Sequence, residues 1–234
     1  MSNSTFEDLR VKDWLICQCN KIAIKRPTCV QTACIPPIIG GKHCVGISET
    51  GSGKTLAFAL PILHHLSSNP YGVFALVLTI TRELAFQITD QFEIIGKPFN
   101  LKVCTIVGGG DIVRQRQELE ERPHVVVATP GRLAHLIESC PTSSLAKIRY
   151  LVSDEADRLL SGIFDEQLAV ILRVLPKNKQ NLFFSATMDD DTLGNISESL
   201  GSNDVFIWTA PREVNRRVFY IHVKIFVKVL ITFY

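Results

Sequence analysis

Apolar runs alternate with amphipathic stretches along most of this chain. The runs Ala75–Leu78 and Val125–Ala128 are continuously apolar, which is typical of strands buried on both faces of a parallel sheet. Helical spacing of apolar residues follows at Thr55–Leu66, Glu83–Gly96 and Arg132–Ser139. The alternation predicts an α/β domain with a mostly parallel, doubly wound sheet of about seven strands. The predicted strands are Cys44–Ser48, Phe74–Thr79, Val103–Val107, His124–Thr129, Tyr150–Asp154, Asn181–Ser185 and Val205–Trp208.

Polar or glycine-rich segments come directly after most of these strands. In an open parallel sheet, ligands bind outside the carboxyl ends of the strands. We therefore expect the segments to meet along one edge of the sheet and to form the functional face. They are Ser48–Thr55, Thr79–Gln87, Gly108–Gly110, Thr129–Arg132, Asp154–Asp157 and Ser185–Thr187.

Composition narrows the class of protein. The 234 residues are enough for one large α/β domain and few for two. A net charge of +2 means that any binding of nucleic acid needs a local basic face. The 7 cysteines include no C-x-x-C pair, which argues against a zinc site and against a secreted disulfide framework. Reduced thiols in a cytosolic or nuclear protein are the better interpretation.

A glycine-rich segment between a predicted strand and a predicted helix is the strongest single motif. Its two glycines let successive backbone N–H groups turn toward phosphate oxygens, and the helix that follows adds its dipole. Lys54 is expected to reach the β and γ phosphates of a nucleotide, and the Thr55 hydroxyl can bind Mg²⁺. Serine stands at position 48, where the general pattern has glycine. The predicted nucleotide-binding residues are Ser48, Glu49, Thr50, Gly51, Ser52, Gly53, Lys54 and Thr55.

An acidic segment, Asp154-Glu-Ala-Asp157, follows the apolar run Tyr150–Val152. An acid at the end of a buried strand, on the same edge as the glycine-rich segment, is placed to hold Mg²⁺ through water, and we assign that role to Asp154. Glu155 is then the candidate that orients and activates the attacking water. Taken alone, the segment is equally compatible with a solvated acidic helix start.

Five motifs stand in one order and spacing that resembles the first domain of DEAD-box RNA helicases. The resemblance covers roughly residues 4 to 215 and implies a RecA-like P-loop NTPase fold that binds ATP or ADP, Mg²⁺ and RNA. The five motifs are Thr50-Gly-Ser-Gly-Lys-Thr55, Thr81-Arg-Glu-Leu-Ala85, Thr129-Pro-Gly-Arg132, Asp154-Glu-Ala-Asp157 and Ser185-Ala-Thr187.

The resemblance also implies an adenine-recognition element near the N-terminus. Pro27 and Gln31 match it, and Phe6 stands at the distance of the family's upstream aromatic residue. A glutamine amide offers an acceptor and two donors, so it can pair with N6 and N7 of adenine. Ala23 and Ile24 stand where the family usually has glycine and an aromatic residue, so packing on the base is expected to be weaker. Taken without this context, Gln31 suggests an exposed glutamine at a helix start.

Three further segments resemble the family's RNA-contacting motifs. They supply hydroxyls, arginines and N–H groups at helix starts, which suit a sugar–phosphate backbone and carry no base information. Ordinary helix capping by Thr81 and Thr129 is the alternative, and the two roles can coexist. Ile80 replaces the usual proline before the first segment. The RNA-binding residues implied are Thr81, Arg82, Glu83, Gly108, Gly109, Thr129, Pro130, Gly131 and Arg132.

Ser185-Ala-Thr187 resembles the family's element that couples hydrolysis to unwinding. We expect its hydroxyls to bridge to the carboxylates of Asp154–Asp157, and we count Ser185 and Thr187 with Lys54 among the catalytic candidates. The alternative is an N-cap for a helix that begins near Asp189.

The chain divides by sequence into three parts: flanking helices with the adenine element at 1–35, a RecA-like domain at 36–214, and a tail at 215–234. No residues resemble the family's second RecA-like domain. The apolar tail from Val218 to Tyr234 is interpreted as the first strand of such a domain, as an unrelated tail or, least well, as a membrane anchor.

Residues outside the motifs, such as Asn69–Phe74 and Phe206–Ala210, resemble one subgroup of the family that matures the small-subunit ribosomal RNA precursor. This predicts a monomeric nuclear, chiefly nucleolar, protein, or else a cytoplasmic one, that binds RNA and pre-ribosomal proteins and no membrane. Its function is predicted as the ATP- and RNA-binding half of an RNA helicase. A non-catalytic nucleotide- and RNA-binding fragment is the alternative, and a DNA-dependent ATPase is a weaker one.

Overall fold

The computed structural model describes residues 4–139, 144–201 and 204–211, and the predictions for the tail at 215–234 lie outside them. Seven strands and nine α-helices alternate in these residues. The strands are β1 (His43–Ile47), β2 (Ala75–Leu78), β3 (Val103–Ile106), β4 (Val125–Ala128), β5 (Tyr150–Asp154), β6 (Gln180–Ser185) and β7 (Val205–Thr209). The helices are α1 (Asp13–Lys21), α2 (Cys29–Ile39), α3 (Lys54–Leu66), α4 (Arg82–Gly96), α5 (Ile112–Glu120), α6 (Pro130–Ser139), α7 (Ala156–Leu159), α8 (Asp165–Val174) and α9 (Asp190–Leu200).

The seven strands form one sheet in the order β3-β4-β2-β5-β6-β1-β7. Every pairing among the described strands is parallel, so the sheet is more uniform than the mostly parallel one that the sequence predicts. All seven predicted strands are confirmed. The order places β5, β6 and β1 side by side, and it places β2, β4 and β3 together in the other half of the sheet.

Side chains of the central strands alternate between two apolar cores, one on each face of the sheet. In β2, Ala75 and Val77 join the core under α2, α3 and α4, while Leu76 and Leu78 join the core under α6 and α8. Phe184 of β6 packs on Phe58 of α3 with ring centroids 5.4 Å apart. Burial on both faces explains why these strands are continuously apolar in sequence.

The link between α1 and α2 contains a strained residue. Ala23 has a φ of 63°, in the left-handed region where a Cβ is unfavourable and glycine is preferred. The motif that this segment resembles usually has glycine at this position, a residue that suits the left-handed region.

Replacement of Ala23 by glycine should therefore stabilise the fold. Relief of left-handed strain outweighs the greater chain entropy of glycine, so we expect the free energy of unfolding to rise by about 1 kcal/mol. Urea titration measures the change. Ala169→Gly within α8 is the matched control and should lower stability by about 1 kcal/mol, because a helix interior disfavours glycine. A loss of stability in Ala23→Gly would contradict the strain argument.

Candidate functional site

The segments that follow β1, β5 and β6 meet at one edge of the sheet. Ile47 of β1 pairs with Ser185 of β6, and Asp154 of β5 pairs with Phe184 of β6. The glycine-rich loop, the acidic segment and Ser185–Thr187 therefore leave three adjacent strands at nearly the same level. This is the convergence that the sequence predicts.

The glycine-rich loop curls at two glycines before helix α3. Gly51 and Gly53 have φ values of 80° and 92°, and α3 begins directly afterwards at Lys54. The Lys54 amine donates to the backbone carbonyls of Ser48 and Glu49, at 2.6 and 2.8 Å. The amine is thus held over the loop whose N–H groups would receive phosphate, with Thr55 one residue further along α3.

Serine at position 48 fits the loop. Its side chain is buried, and its backbone N–H donates to the carbonyl of Ser185 at 2.9 Å. The ladder between β1 and β6 is thereby extended by one residue, which ties the start of the loop to the end of β6.

Asp154 lies at the end of β5 and is 7% exposed. Burial raises the pKa of its carboxyl from 3.8 to about 6, although the nearby Lys54 amine acts in the opposite direction. Burial also lowers the pKa of Lys54, against the attraction of Asp154 and Glu155. A buried carboxylate with one cation nearby suits a divalent ion, which would restore its charged form.

The raised pKa predicts that binding of ADP–Mg²⁺ weakens at mildly acidic pH. Above its pKa of about 6 the Asp154 carboxyl is ionised and can hold Mg²⁺, whereas below that value it is neutral and cannot. Calorimetric titration of ADP with and without Mg²⁺ between about pH 7 and pH 5 measures how much Mg²⁺ increases ADP affinity at each pH. Asp154→Asn should remove the part of the pH dependence that requires Mg²⁺. An identical profile in the two proteins would exclude Asp154 from holding the ion.

Glu155 occupies an unusual backbone position between β5 and α7. Its φ and ψ are 53° and 48°, in the left-handed region. Its buried Oε2 has no hydrogen-bond partner among the described residues, and the Arg158 guanidinium is the nearest cation, at 3.8 Å. The carboxylate therefore keeps an acceptor available for a water molecule beside the loop, which is compatible with the predicted role.

A hydrogen bond joins Thr187, which follows β6, to Asp157 in the segment after the neighbouring strand β5. The Thr187 hydroxyl donates to Asp157 Oδ2 at 2.7 Å, as expected. The hydroxyl of the buried Ser185 instead accepts from the Thr187 N–H at 3.4 Å, and no bond from it to a carboxylate is seen in the described residues. The predicted N-cap for α9 is made instead by Asp189, which accepts from the N–H of Thr192. Thr187 is thus free of capping and links the end of β6 to the acidic segment. Its role in coupling stays a prediction.

Gln31 differs from the exposed glutamine that was the alternative for this position. It is 1% exposed, its Oε1 accepts from the Thr28 N–H at 3.0 Å, and its Nε2 donates to the Gly53 carbonyl at 3.0 Å. A Cβ added to Gly53 would stand 2.5 Å from Gln31 Nε2. The glutamine therefore ties the start of α2 to the glycine-rich loop, and adenine reading stays a prediction for it.

Phe6 and Ile24, both assigned to the adenine-recognition element, are placed differently from one another. Phe6 is 1% exposed and belongs to the apolar core, so its ring anchors the N-terminal segment and presents no open face to a base. This corrects the expectation for Phe6, because apolar packing against the core removes the ring from the surface. Ile24 and Pro27 remain half-exposed, before α2 and the loop.

The segments predicted to contact RNA follow β2, β3 and β4. Thr81 caps α4, since its hydroxyl accepts from the N–H of Leu84 at 3.2 Å. Arg82 and Glu83 are exposed in the first turn. The Arg82 guanidinium lies against Gly109, whose φ is 79°, so closely that any Cβ there would collide with it.

Helix α6 begins at Pro130, and its first turn approaches the same loop. Pro130 is buried and Gly131 is exposed. Arg132 donates through Nη2 to the Gly110 carbonyl at 2.5 Å and through Nε to Oε1 of Gln115 at 3.0 Å. The backbone N–H of Thr129 donates to Ile106, and no side-chain cap is seen for Thr129 in the described residues. Arg82 and Arg132 thus flank the glycine loop, which includes Gly108.

Gln115 is a residue of this face that the motifs do not reveal. Its side chain is buried, and its Nε2 donates to the Val107 carbonyl at 3.0 Å. The sequence signal is its spacing, because Gln115 lies four residues before the buried Leu119 on the inner face of α5. A polar residue on an apolar helix face requires a partner.

Fold and site together define a P-loop nucleotide-binding domain of the RecA-like class. Among the described residues no cluster of three or more histidine, cysteine or acidic side chains could hold a metal ion. None of the helices in those residues is both long and apolar enough to cross a membrane.

Residues 28–196 match the DEAD/DEAH box helicase family, and the chain belongs to that family. It is 52% identical over 213 residues to the human "Probable ATP-dependent RNA helicase DDX49", covering 90% of this chain and 44% of the human protein. It is 50% identical over 197 residues to "ATP-dependent RNA helicase DBP8" of Eremothecium gossypii, covering 82% and 45%.

A crystal structure of a DEAD box protein from the hyperthermophile Methanococcus jannaschii has the same fold. The TM-score is 0.80 at 33% sequence identity, and the match covers 88% of this chain and 56% of that chain. The chain spans less than half the length of the two curated relatives above.

Proposed function

We propose that this chain is the ATP- and RNA-binding half of an ATP-dependent RNA helicase. The observation that supports the proposal is that the nucleotide segments and the predicted RNA segments occupy separate halves of one edge of the sheet. The nucleotide segments follow β1, β5 and β6, which are neighbours, and the predicted RNA segments follow β2, β3 and β4, which are also neighbours. One rigid sheet thus holds both sites, so that a change at one can reach the other through adjacent strands.

Each catalytic candidate has a physical task in this proposal. Lys54 and the N–H groups of the loop bind the phosphates. A bound Mg²⁺, held through Asp154 and Thr55, would neutralise charge on the transferred phosphate. Glu155 orients the attacking water. The Thr187–Asp157 hydrogen bond connects the acidic segment to the end of β6, next to the strands that lead to the predicted RNA face.

RNA is proposed to bind through its backbone. Arg82 and Arg132 are cationic, and the described residues place no carboxylate in an ion pair with either one. They flank a loop with little side-chain bulk, which a phosphate can approach closely. Such contacts imply weak sequence preference and strong salt dependence.

RNA-stimulated ATP turnover tests the function. Because the resemblance implies a second RecA-like domain, the chain should be joined after Val214 to the second half of the human relative and assayed with and without single-stranded RNA. We expect stimulation by RNA and none by DNA of the same sequence. Equal turnover with both would favour a general P-loop ATPase, and binding without turnover would favour the non-catalytic alternative.

Gln31 should make the site select adenine over guanine. Guanine presents the reversed donor and acceptor pattern, and an unmatched buried amide costs about 1–3 kcal/mol, or roughly ten- to a hundredfold in affinity. Competition of ADP and GDP for a fluorescent nucleotide measures the ratio. Equal displacement would leave Gln31 only its structural link to Gly53.

We further propose that the whole protein acts on ribosomal RNA precursors in the nucleolus, as a monomer bound to pre-ribosomal proteins. The support is the subgroup resemblance outside the motifs, at Asn69–Phe74 and Phe206–Ala210. Fluorescence microscopy of the tagged full-length protein, with sequencing of cross-linked RNA, tests this. A diffuse cytoplasmic signal without ribosomal RNA would refute it.

A further inference from the structure

The amide of Gln115 joins two segments of the predicted RNA face. It lies on α5, yet it reaches back to the end of β3 by donating to the Val107 carbonyl at 3.0 Å. Its other end accepts from Arg132 Nε on α6, also at 3.0 Å. One side chain therefore fixes the loop after β3 relative to the first turn of the neighbouring helix.

The glycine loop completes a closed ring with these two residues. Arg132 Nη2 donates to the Gly110 carbonyl, and a Cβ at Gly110 would stand 2.7 Å from Gln115 Nε2. The loop thus passes directly over the glutamine amide. At 8% exposure, Gln115 is shielded from water that would compete for these hydrogen bonds, so the ring is rigid.

The ring orients the Arg132 guanidinium without neutralising it. Gln115 and Gly110 are neutral acceptors, and together they use only part of the donor set of an arginine. The charge and the remaining N–H groups stay available on a half-exposed side chain. Asp111, the acid that directly follows Gly110, caps α5 by accepting from the Val113 and Arg114 N–H groups.

We propose that Gln115 is a positioning residue for RNA binding, which holds Arg132 and the loop at 107–110 in one arrangement that fits an RNA phosphate. The inference rests on the proposed function, because it explains what holds the side chains of the same predicted RNA face in place. Gln115 itself contacts no RNA in this arrangement and acts through Arg132.

Gln115→Leu tests the proposal, since leucine has a similar size and lacks both polar ends. Binding of the 234-residue chain to a fluorescent uridine-rich single-stranded RNA is measured by anisotropy at several salt concentrations. We expect about a tenfold loss of RNA affinity and a salt slope smaller by about 0.7, as for one lost phosphate contact on a single strand. ADP affinity and the urea midpoint show whether the nucleotide site and the fold are intact. Gln117→Leu, an exposed glutamine on the same helix, is the matched control and should change nothing.

Two further variants separate positioning from general damage. Gln115→Glu keeps an acceptor that faces Arg132 but loses the donor to Val107 and adds a negative charge that pairs with the guanidinium, so its salt slope should fall as it does in Gln115→Leu. In Arg132→Ala, adding Gln115→Leu should cost little more, because the glutamine acts through the arginine. Independent, additive losses would overturn the proposal, as would an unchanged slope in Gln115→Leu. Failure of the unsubstituted chain to bind RNA would instead refute the proposed function.

Discussion

Glu155→Gln should stop ATP hydrolysis while leaving ATP bound. A carboxylate that orients and deprotonates the attacking water contributes about 10²–10⁴-fold to turnover, and an amide of the same shape cannot take the proton. Glu155 Oε2 has no hydrogen-bond partner in the described residues, and its ion pair with the exposed Arg158 is long at 3.8 Å, so the substitution removes little internal stabilisation. Nucleotide affinity and stability should therefore remain near those of the unsubstituted protein.

Turnover is measured by phosphate release in the two-domain fusion, with saturating RNA. Glu166→Gln is the matched control, because Glu166 is an exposed glutamate on α8, and it should turn over ATP normally. A Glu155→Gln protein that hydrolyses ATP at the parent rate would remove the catalytic role from this residue. A protein that no longer binds ATP would show a structural role instead.

The sheet could be predicted from sequence because its strands are buried on both faces. Short, continuous apolar runs such as Val125–Ala128 are typical of strands buried on both faces of a parallel sheet. Each predicted strand is found within two residues of its expected end. The helices begin slightly earlier than predicted, at Lys54 and Arg82, because backbone geometry at Gly53 and capping by Thr81 start the first turn. The spacing of apolar residues does not reveal these local effects of backbone geometry and capping.

The contacts between distant segments could not be predicted in the same way. The hydrogen bond from Gln31 to Gly53 spans 22 residues of sequence, and that from Arg132 to Gln115 spans 17. A motif gives the identity of a residue and the strand that it follows, but not the partners that packing brings to it. Phe6 illustrates the same limit, since its place in the core depends on helices that lie later in the chain.

Lys54→Ala should abolish productive nucleotide binding. The amine is a protein cation that hydrogen bonds to the Ser48 and Glu49 carbonyls hold over the glycine-rich loop. A hydrogen bond from a charged group contributes about 1.5–3 kcal/mol, so loss of the contact to the β-phosphate lowers ADP affinity by about ten- to a hundredfold. Calorimetric titration measures it. Lys42→Ala, an exposed lysine just before β1, should bind ADP normally.

The same substitution should also weaken Mg²⁺ binding through Asp154. The Lys54 charge opposes the effect of burial on the Asp154 carboxyl, so its removal should raise the Asp154 pKa above about 6 and favour the neutral acid, which cannot hold the ion. Lys54→Ala should therefore lose both the Mg²⁺-independent and the Mg²⁺-dependent parts of ADP affinity, whereas Asp154→Asn should lose only the second. Titrations with Mg²⁺ and with EDTA separate the two parts. Normal Mg²⁺-dependent binding by Lys54→Ala would show that the lysine and the carboxylate do not act on one nucleotide.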